Sequence, residues 1–420
     1  MRYLVTFWLC LAGYAVWSYG LADPNLVFTA WQPYWFFQDW MWVFARTLPQ
    51  WYTAIYAGLI LSLFGLSMKI ATWLQTKNKL SLRQSCLWFL LLVSPLLFSY
   101  NALSHDVFNY LFNAKMVVVY HTNPHTHTAL EFGSDDWTRF MHNTHTPAPY
   151  GYGWTAVSLL PYMLGMGKFT WSWLLFRLFS LVSIFLTVTA LQRLAQRLGK
   201  KISQADLAFF FLNPLVLIEI LANSHNDLWM LAPAVFALSV LLGQGQQSFI
   251  WRASFSLLLL SFSISIKYAT VVLLPVWFVI MAFERLRSRI ALPQRLLTLL
   301  TQGIWERLLR SLPYIAAILL LLPLTTNQSQ QYLPWYLTWS LVWLPLITSQ
   351  RWRQLWLVFS IAALLRYIPW LLTGGYELHT LQWQKIISWG IPALWLVWQV
   401  LQKRTKSEGV NVLVGRTVDA

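Results

Sequence analysis

Charge is scarce in this chain. Only 10% of its 420 residues are Asp, Glu, Lys or Arg, where a soluble domain carries about a quarter. The shortfall runs along the whole length, so no segment has the composition of a soluble domain. Without a soluble face there is also no place for a nucleic-acid-binding patch. Cysteine is rarer still: Cys10 and Cys86 both fall in or at the end of apolar stretches, which argues against a disulfide framework. No internal repeat of roughly 20–50 residues is visible. A small-residue cleavage site after the first apolar stretch is missing too, so that stretch reads as a membrane span.

What fills the chain instead is hydrophobic sequence, 57% of the residues. Apolar stretches long enough to cross roughly 30 Å of hydrocarbon recur from end to end. They show no strict period of two, which implies helices and not a barrel. The expected spans are 3–21, 51–73, 86–104, 170–192, 205–222, 228–243, 249–266, 268–283, 311–324, 334–349, 355–372 and 382–401. Most of the 30 basic residues collect in alternate loops: Lys77, Lys79 and Arg83; Arg193, Arg197, Lys200 and Lys201; Arg285, Arg287, Arg289 and Arg295; Arg351 and Arg353; Lys403, Arg404 and Lys406. Cytoplasmic loops hold such an excess, so both termini are expected inside the cell (inner) membrane. The fold class is therefore an all-α polytopic membrane protein of about 12 transmembrane helices. It is expected to form a single transmembrane domain over 1–402, with a short cytoplasmic tail at 403–420. Residues 284–310 read as an interfacial amphipathic piece.

Two segments fit less simply. Trp154 to Met166 is apolar but short and is broken by Pro161, so it is expected as a juxtamembrane or partly inserted helix on the outer face. The aromatic run Trp31 to Phe44 reads the same way, because Trp and Tyr favour the interface.

In this layout all eight histidines lie outside, six of them (His105, His121, His125, His127, His142, His145) in the loop 105–153. With the short helix after it, this outer loop runs over 105–169. Asp106 and Asp227 stand out because each lies within a few residues of a span end, in apolar surroundings. Ionisable groups at such depth are expensive and mark function. Lys267, Arg366, Lys115 and Arg139 are the natural counter-charges. Arg366 lies about two turns below the surface, where its planar fork suits a phosphate; Lys115 and Arg139 also fit plain snorkelling. Tyr110, Tyr120, Tyr150, Trp335 and Tyr336 crowd the same face, as either an interfacial belt or flat surfaces for a sugar. Pro147, Pro149, Gly151 and Gly153 predict an ordered loop turning back to the membrane.

The segment Ser104-His105-Asp106-Val107-Phe108-Asn109-Tyr110-Leu111-Phe112-Asn113-Ala114-Lys115, then Asn123-Pro124, then Pro149-Tyr150-Gly151-Tyr152-Gly153-Trp154 resembles the first outer loop of GT-C fold glycosyltransferases. The nearest group is the bacterial polyprenol-phosphate-mannose-dependent mannosyltransferases, including the α-(1→6)-mannosyltransferase-like proteins. Asn213-Pro214 with Glu219 and His225-Asn226-Asp227 resembles a second block. Ser265 to Thr270 with Leu274-Pro275 resembles a third, and Pro334-Trp335-Tyr336 a fourth.

The resemblance implies transfer of a sugar, mannose by this likeness, from a polyprenyl-phosphate donor to a glycan or lipid acceptor at the outer face, with inversion. Asp106 would be the general base, with His105 beside it. Asp227 and His225 would orient the acceptor or assist the base, and Lys267 and Arg366 would meet the phosphate. Tyr110, Lys115, Tyr150, Trp335 and Tyr336 complete the expected binding set. In the GT-C pattern the catalytic loop follows the first span; here it follows the third, and two extra spans restore the same sidedness.

Three other readings stay open on the residues alone. A transporter or flippase could use Asp106, Asp227, Lys267 and Arg366 as a substrate path, but no inverted repeat is visible. A divalent metal could sit on His125, His127, His142 and His145, but no HExxH signature appears and no cofactor is certain. An oligosaccharide polymerase or ligase would also use a lipid-linked donor.

Overall fold

The computed structural model describes residues 2–24, 28–76, 82–243, 247–289, 303–326 and 332–415, without side chains for 82–83, 287–289 and 403–415. Lys77, Lys79, Arg295, much of the expected interfacial piece 284–310 and residues 416–420 of the tail lie outside the described residues. So do the side chains of Arg83, Arg287, Arg289, Lys403, Arg404 and Lys406.

Every regular element among the described residues is helical. Seven helical stretches are long and apolar enough to cross a bilayer: Arg2–Leu21, Pro49–Thr76, Phe169–Arg197, Phe249–Ile266, Tyr268–Leu286, Gly303–Thr325 and Gln350–Thr373. Each coincides with an expected span. Their outward faces are as apolar as their inward ones. On Pro49–Thr76, for example, Trp51, Ile55, Leu61 and Met68 are exposed while Tyr52, Tyr56, Ile60 and Leu63 are buried. A helix that is hydrophobic all round belongs in lipid.

The other expected spans are shorter or broken, and proline accounts for most of the breaks. Span 86–104 is a helix over Gln84–Phe98 that tightens at Ser94-Pro95 and then leaves helical geometry at Ser99. Span 205–222 bends by 52° at Asn213-Pro214. Span 334–349 is three short turns, Pro334–Leu337, Thr338–Leu341 and Leu344–Leu346, interrupted by Pro345. Span 228–243 is the helix Asp227–Leu241, buried on nearly every side. The last span lies within a longer helix, Leu378–Gly415, which runs through the expected boundary at 402.

The helices form two compact units, Met1–Thr348 and Ser349–Ala420. The first carries the long loop 105–169, where α5 (Asp106–Val118) and α6 (Tyr152–Leu164) pack on each other and on α7 (Phe169–Arg197). The short helix expected around 154–166 is α6, with Pro161 inside it. The buried helix, α10 (Asp227–Leu241), lies between α7 and α11 (Phe249–Ile266). In the second unit Gln350–Leu365 packs on Leu378–Gly415. The chain reverses at Gly374, whose φ of 70° is the left-handed conformation that ends a helix at least cost for glycine.

Candidate active site

Asp106 and Asp227 hold the same position in two helices: each is the first residue, α5 beginning at Asp106 and α10 at Asp227. The unpaired N–H groups and the macrodipole at a helix start favour a negative charge there. Around this shared feature their partners differ.

Asp106 is held by hydroxyls. Tyr150 donates to Oδ2 at 2.5 Å and Tyr110 donates to the same oxygen at 3.4 Å. Nδ1 of His225 stands 3.6 Å from that oxygen. No described residue hydrogen-bonds Oδ1, and the side chain keeps 18% of its surface accessible. Burial, reinforced by the nearby Asp106 charge, pushes the Tyr150 and Tyr110 hydroxyls well above the usual phenol range, so both stay proton donors to the carboxylate.

Asp227 is held by one cation and an indole and is wholly buried. Lys267 Nζ lies 2.7 Å from Oδ1, and the Trp339 indole donates to the same oxygen at 2.5 Å. Lys267 also reaches Asn226 Oδ1 at 3.4 Å. Its ammonium is ringed by Tyr150, Tyr336 and Trp339 at 5.1, 5.6 and 5.5 Å from the ring centres, close enough for cation–π attraction.

Tyr150 therefore links the two centres, its hydroxyl on Asp106 and its ring beside Lys267. The glycines that follow fix it there. Gly151 N–H donates to Ile266 O at 3.1 Å. A Cβ on Gly151 would overlap the Ser265 carbonyl oxygen, and one on Gly153 the Ser265 hydroxyl. The Gly-x-Gly spacing is what lets this loop lie directly on the chain that carries Lys267.

The turn between the bent helix and α10 supplies the remaining groups. The helix begun at Pro214 widens to a π-helix over Leu217–Ala222, a form found often at functional sites. Ser224 follows with φ of 60°, a left-handed conformation uncommon outside glycine. This turn brings His225 between Asp106 and Glu219, whose Oε2 lies 3.3 Å from His225 Nε2 and accepts from Asn223 Nδ2 at 3.1 Å. Trp335 stacks on the His225 ring at 4.0 Å, and Tyr336 follows it.

Other expected site residues have partners of their own. His105 has both ring nitrogens engaged: Nδ1 donates to Phe140 O at 3.1 Å, which leaves Nε2 to accept from the Tyr100 hydroxyl at 3.4 Å. Its ring stacks on His142 at 3.8 Å. Burial, with His142 adding to it, pushes the His105 imidazole down to about 3, and burial lowers His142 as well. Both are neutral at pH 7. Lys115 pairs with Asp135 at 2.5 Å and sits over the Trp137 ring, with Tyr120 also donating to Asp135. Arg139 pairs with Asp136 at the surface. Arg366 is buried in the second unit and donates to Gln384 at 3.2 Å. His125 bonds Thr155 and His127 bonds Glu131. Among the described residues no cluster of three His, Cys, Asp or Glu side chains has metal-binding geometry.

Arg177 escaped the sequence reading. It is fully buried in α7 and donates to Leu96 O at 2.8 Å, Ser99 Oγ at 3.0 Å, Asn101 Oδ1 at 2.7 Å and Leu221 O at 3.3 Å. Leu96 and Leu221 lie at the ends of the two helical segments that lead into Asp106 and Asp227. One guanidinium thus ties both approaches together, and Trp173 reinforces it by donating to Asn101 at 2.7 Å. The available signal was an arginine inside an apolar span, which lipid exposure would penalise.

A family model described as alpha-(1→6)-mannopyranosyltransferase, N-terminal domain, matches residues 20–283, more than half the chain and all the residues around Asp106 and Asp227 except Trp335, Tyr336 and Trp339. No curated protein and no solved structure matches the chain.

Proposed function

The chain belongs to the alpha-(1→6)-mannopyranosyltransferase family, and from that premise we propose that it transfers a sugar from a polyprenyl-phosphate carrier to a glycan or lipid acceptor at the outer face of the cell membrane. It is a multi-pass membrane glycosyltransferase. The observation that carries the finer reading is Asp106: a carboxylate at a helix start, one oxygen fixed by two tyrosines and the other without a partner among the described residues.

An alcohol is a weak nucleophile until a positioned base takes its proton. Asp106 Oδ1 accepts the proton of the acceptor hydroxyl as that oxygen bonds the anomeric carbon from the side opposite the phosphate. The bond from the anomeric carbon to the phosphate oxygen breaks, its electron pair leaves on the polyprenyl phosphate, and configuration inverts. Lys267, fixed by Asp227, supplies positive charge for the departing phosphate. Trp335 and Tyr336 offer flat faces to the sugar. His105 and Lys115 act by shaping the loop, since their polar groups are engaged there. A role for Arg366 at the phosphate rests on its depth in an apolar segment.

About 12 crossings with both termini cytoplasmic remain the topology we favour, on the distribution of basic loops. A GT-C-like arrangement is implied by the resemblance of the motifs around Asp106 and Asp227. The test is purified protein in nanodiscs offered a panel of polyprenyl-phosphate sugars, with the product anomer read by NMR. Turnover with a mannose donor and inversion is expected. Retention of configuration would remove the single displacement at Asp106, and translocation of substrate without transfer to any acceptor would favour a flippase.

A further inference from the structure

His225 is fully buried, and its two ring nitrogens have no hydrogen-bond partner among the described residues, yet each faces a carboxylate oxygen. Nδ1 lies 3.6 Å from Asp106 Oδ2 and Nε2 lies 3.3 Å from Glu219 Oε2. The first distance exceeds a hydrogen bond and the second contact is within reach but off-line, as is common before substrate tightens a site. Trp335 covers one face of the ring, so the imidazole is held in the plane that joins the two acids. A carboxylate on one nitrogen of a histidine selects the tautomer and leaves the other nitrogen to take up a proton. Glu219 is placed to do this. It is itself wholly buried and braced by Asn223, and it emerges from the π-helical turn that interrupts the span.

Resting on the reading of Asp106 as base, we propose that Glu219 and His225 form a proton relay behind it. Glu219 holds the Nε2–H tautomer of His225. Asp106 takes the acceptor proton on Oδ1, turns its carboxyl about the Cβ–Cγ bond, and passes the proton to His225 Nδ1, regenerating the carboxylate. The imidazolium so formed lies between two negative charges. After product leaves, the proton returns by Asp106 to water, because Asp106 is the accessible member of the three. The benefit is to the forward direction: once the proton is on His225, Asp106 has none to return to the new glycosidic oxygen. Glu219 is a positioning residue in this scheme, acting through His225.

The test is steady-state kinetics and a proton inventory in mixed H2O and D2O, with the full chain in nanodiscs. Wild type should give a bowed inventory, with two protons moving together. Glu219→Gln should lower kcat about 30-fold, keep the donor KM within about twofold and give a straight inventory. His225→Gln should do the same, and the double variant should be no worse than either single one. The His225 variant also carries the test should Glu219→Gln fail to fold. A bowed inventory and wild-type kcat in whichever variant folds, with Asp106→Asn inactive, would overturn the relay and leave the base in place. Wild-type turnover in Asp106→Asn would overturn the base itself, and the relay with it.

Discussion

Asp106 and Asp227 begin two helices in the same way, but their surroundings treat them in opposite ways. Asp106 meets neutral hydroxyls and keeps part of its surface open. Asp227 meets an ammonium and an indole and is sealed. A carboxylate fixed by neutral donors keeps its charge available to a reactant. One paired with a buried cation has already spent that charge on structure. The helix start makes either position tolerable for an acid, but the partners decide what the acid does. Tyr150 stands between them, so the two centres differ in role while sharing one geometric reference.

The largest expected break in the comparison comes from Asp227→Asn. It leaves the Lys267 ammonium, only 12% accessible, without its counter-charge. Removing one partner of such a pair costs about 3–5 kcal/mol. Thermal unfolding in detergent should register that loss, while Asp106→Asn should change stability by about 1 kcal/mol or less. Equal losses in the two variants would erase the distinction drawn here.

Gly151→Ala comes next. The added methyl meets the Ser265 carbonyl oxygen, which is backbone and cannot swing aside. Overpacking of this kind costs about 1–3 kcal/mol. Because Gly151 sets Tyr150 against both centres, the variant should lose turnover as well as stability, measured on the same preparation. Full activity with reduced stability would mean that Tyr150 does not couple the two sites.

A smaller effect separates the loop from the centres it frames. Unfolded histidines take up protons near pH 6.5, but folded His105 does not until about 3. The unfolded state therefore binds more protons between those values, and stability falls as pH drops from about 6.5 towards 3. The slope is at most about 1.4 kcal/mol per pH unit for each such histidine. Hydrogen exchange of the 105–142 loop at pH 7 and pH 5 should show the loss, and His105→Phe should flatten it.

Much of this was legible in the sequence. Seven spans stand out because long apolar runs leave little choice of structure in lipid. Asp106, Asp227, Tyr150 and Lys267 stand out as polar or aromatic residues in apolar company. Spans broken by Pro95, Pro214 and Pro345 read as continuous because hydropathy does not register a lost N–H. His105 drew attention through the resemblance and Lys115 as a counter-charge in the long loop, but the side chains point to Phe140 and Asp135. Arg177 depends on contacts between distant segments, which no single stretch of sequence reveals, while Glu219 and His225, six residues apart, meet only because the π-helical turn brings them together.

The central claim concerns one oxygen atom of Asp106, and the kcat of Asp106→Asn with the productive donor tests it most directly. The amide keeps the shape and the partners' positions but cannot accept the proton. The account predicts a fall of about 10²–10⁴-fold in kcat with donor KM and unfolding midpoint close to wild type. A kcat within about threefold of wild type would contradict it.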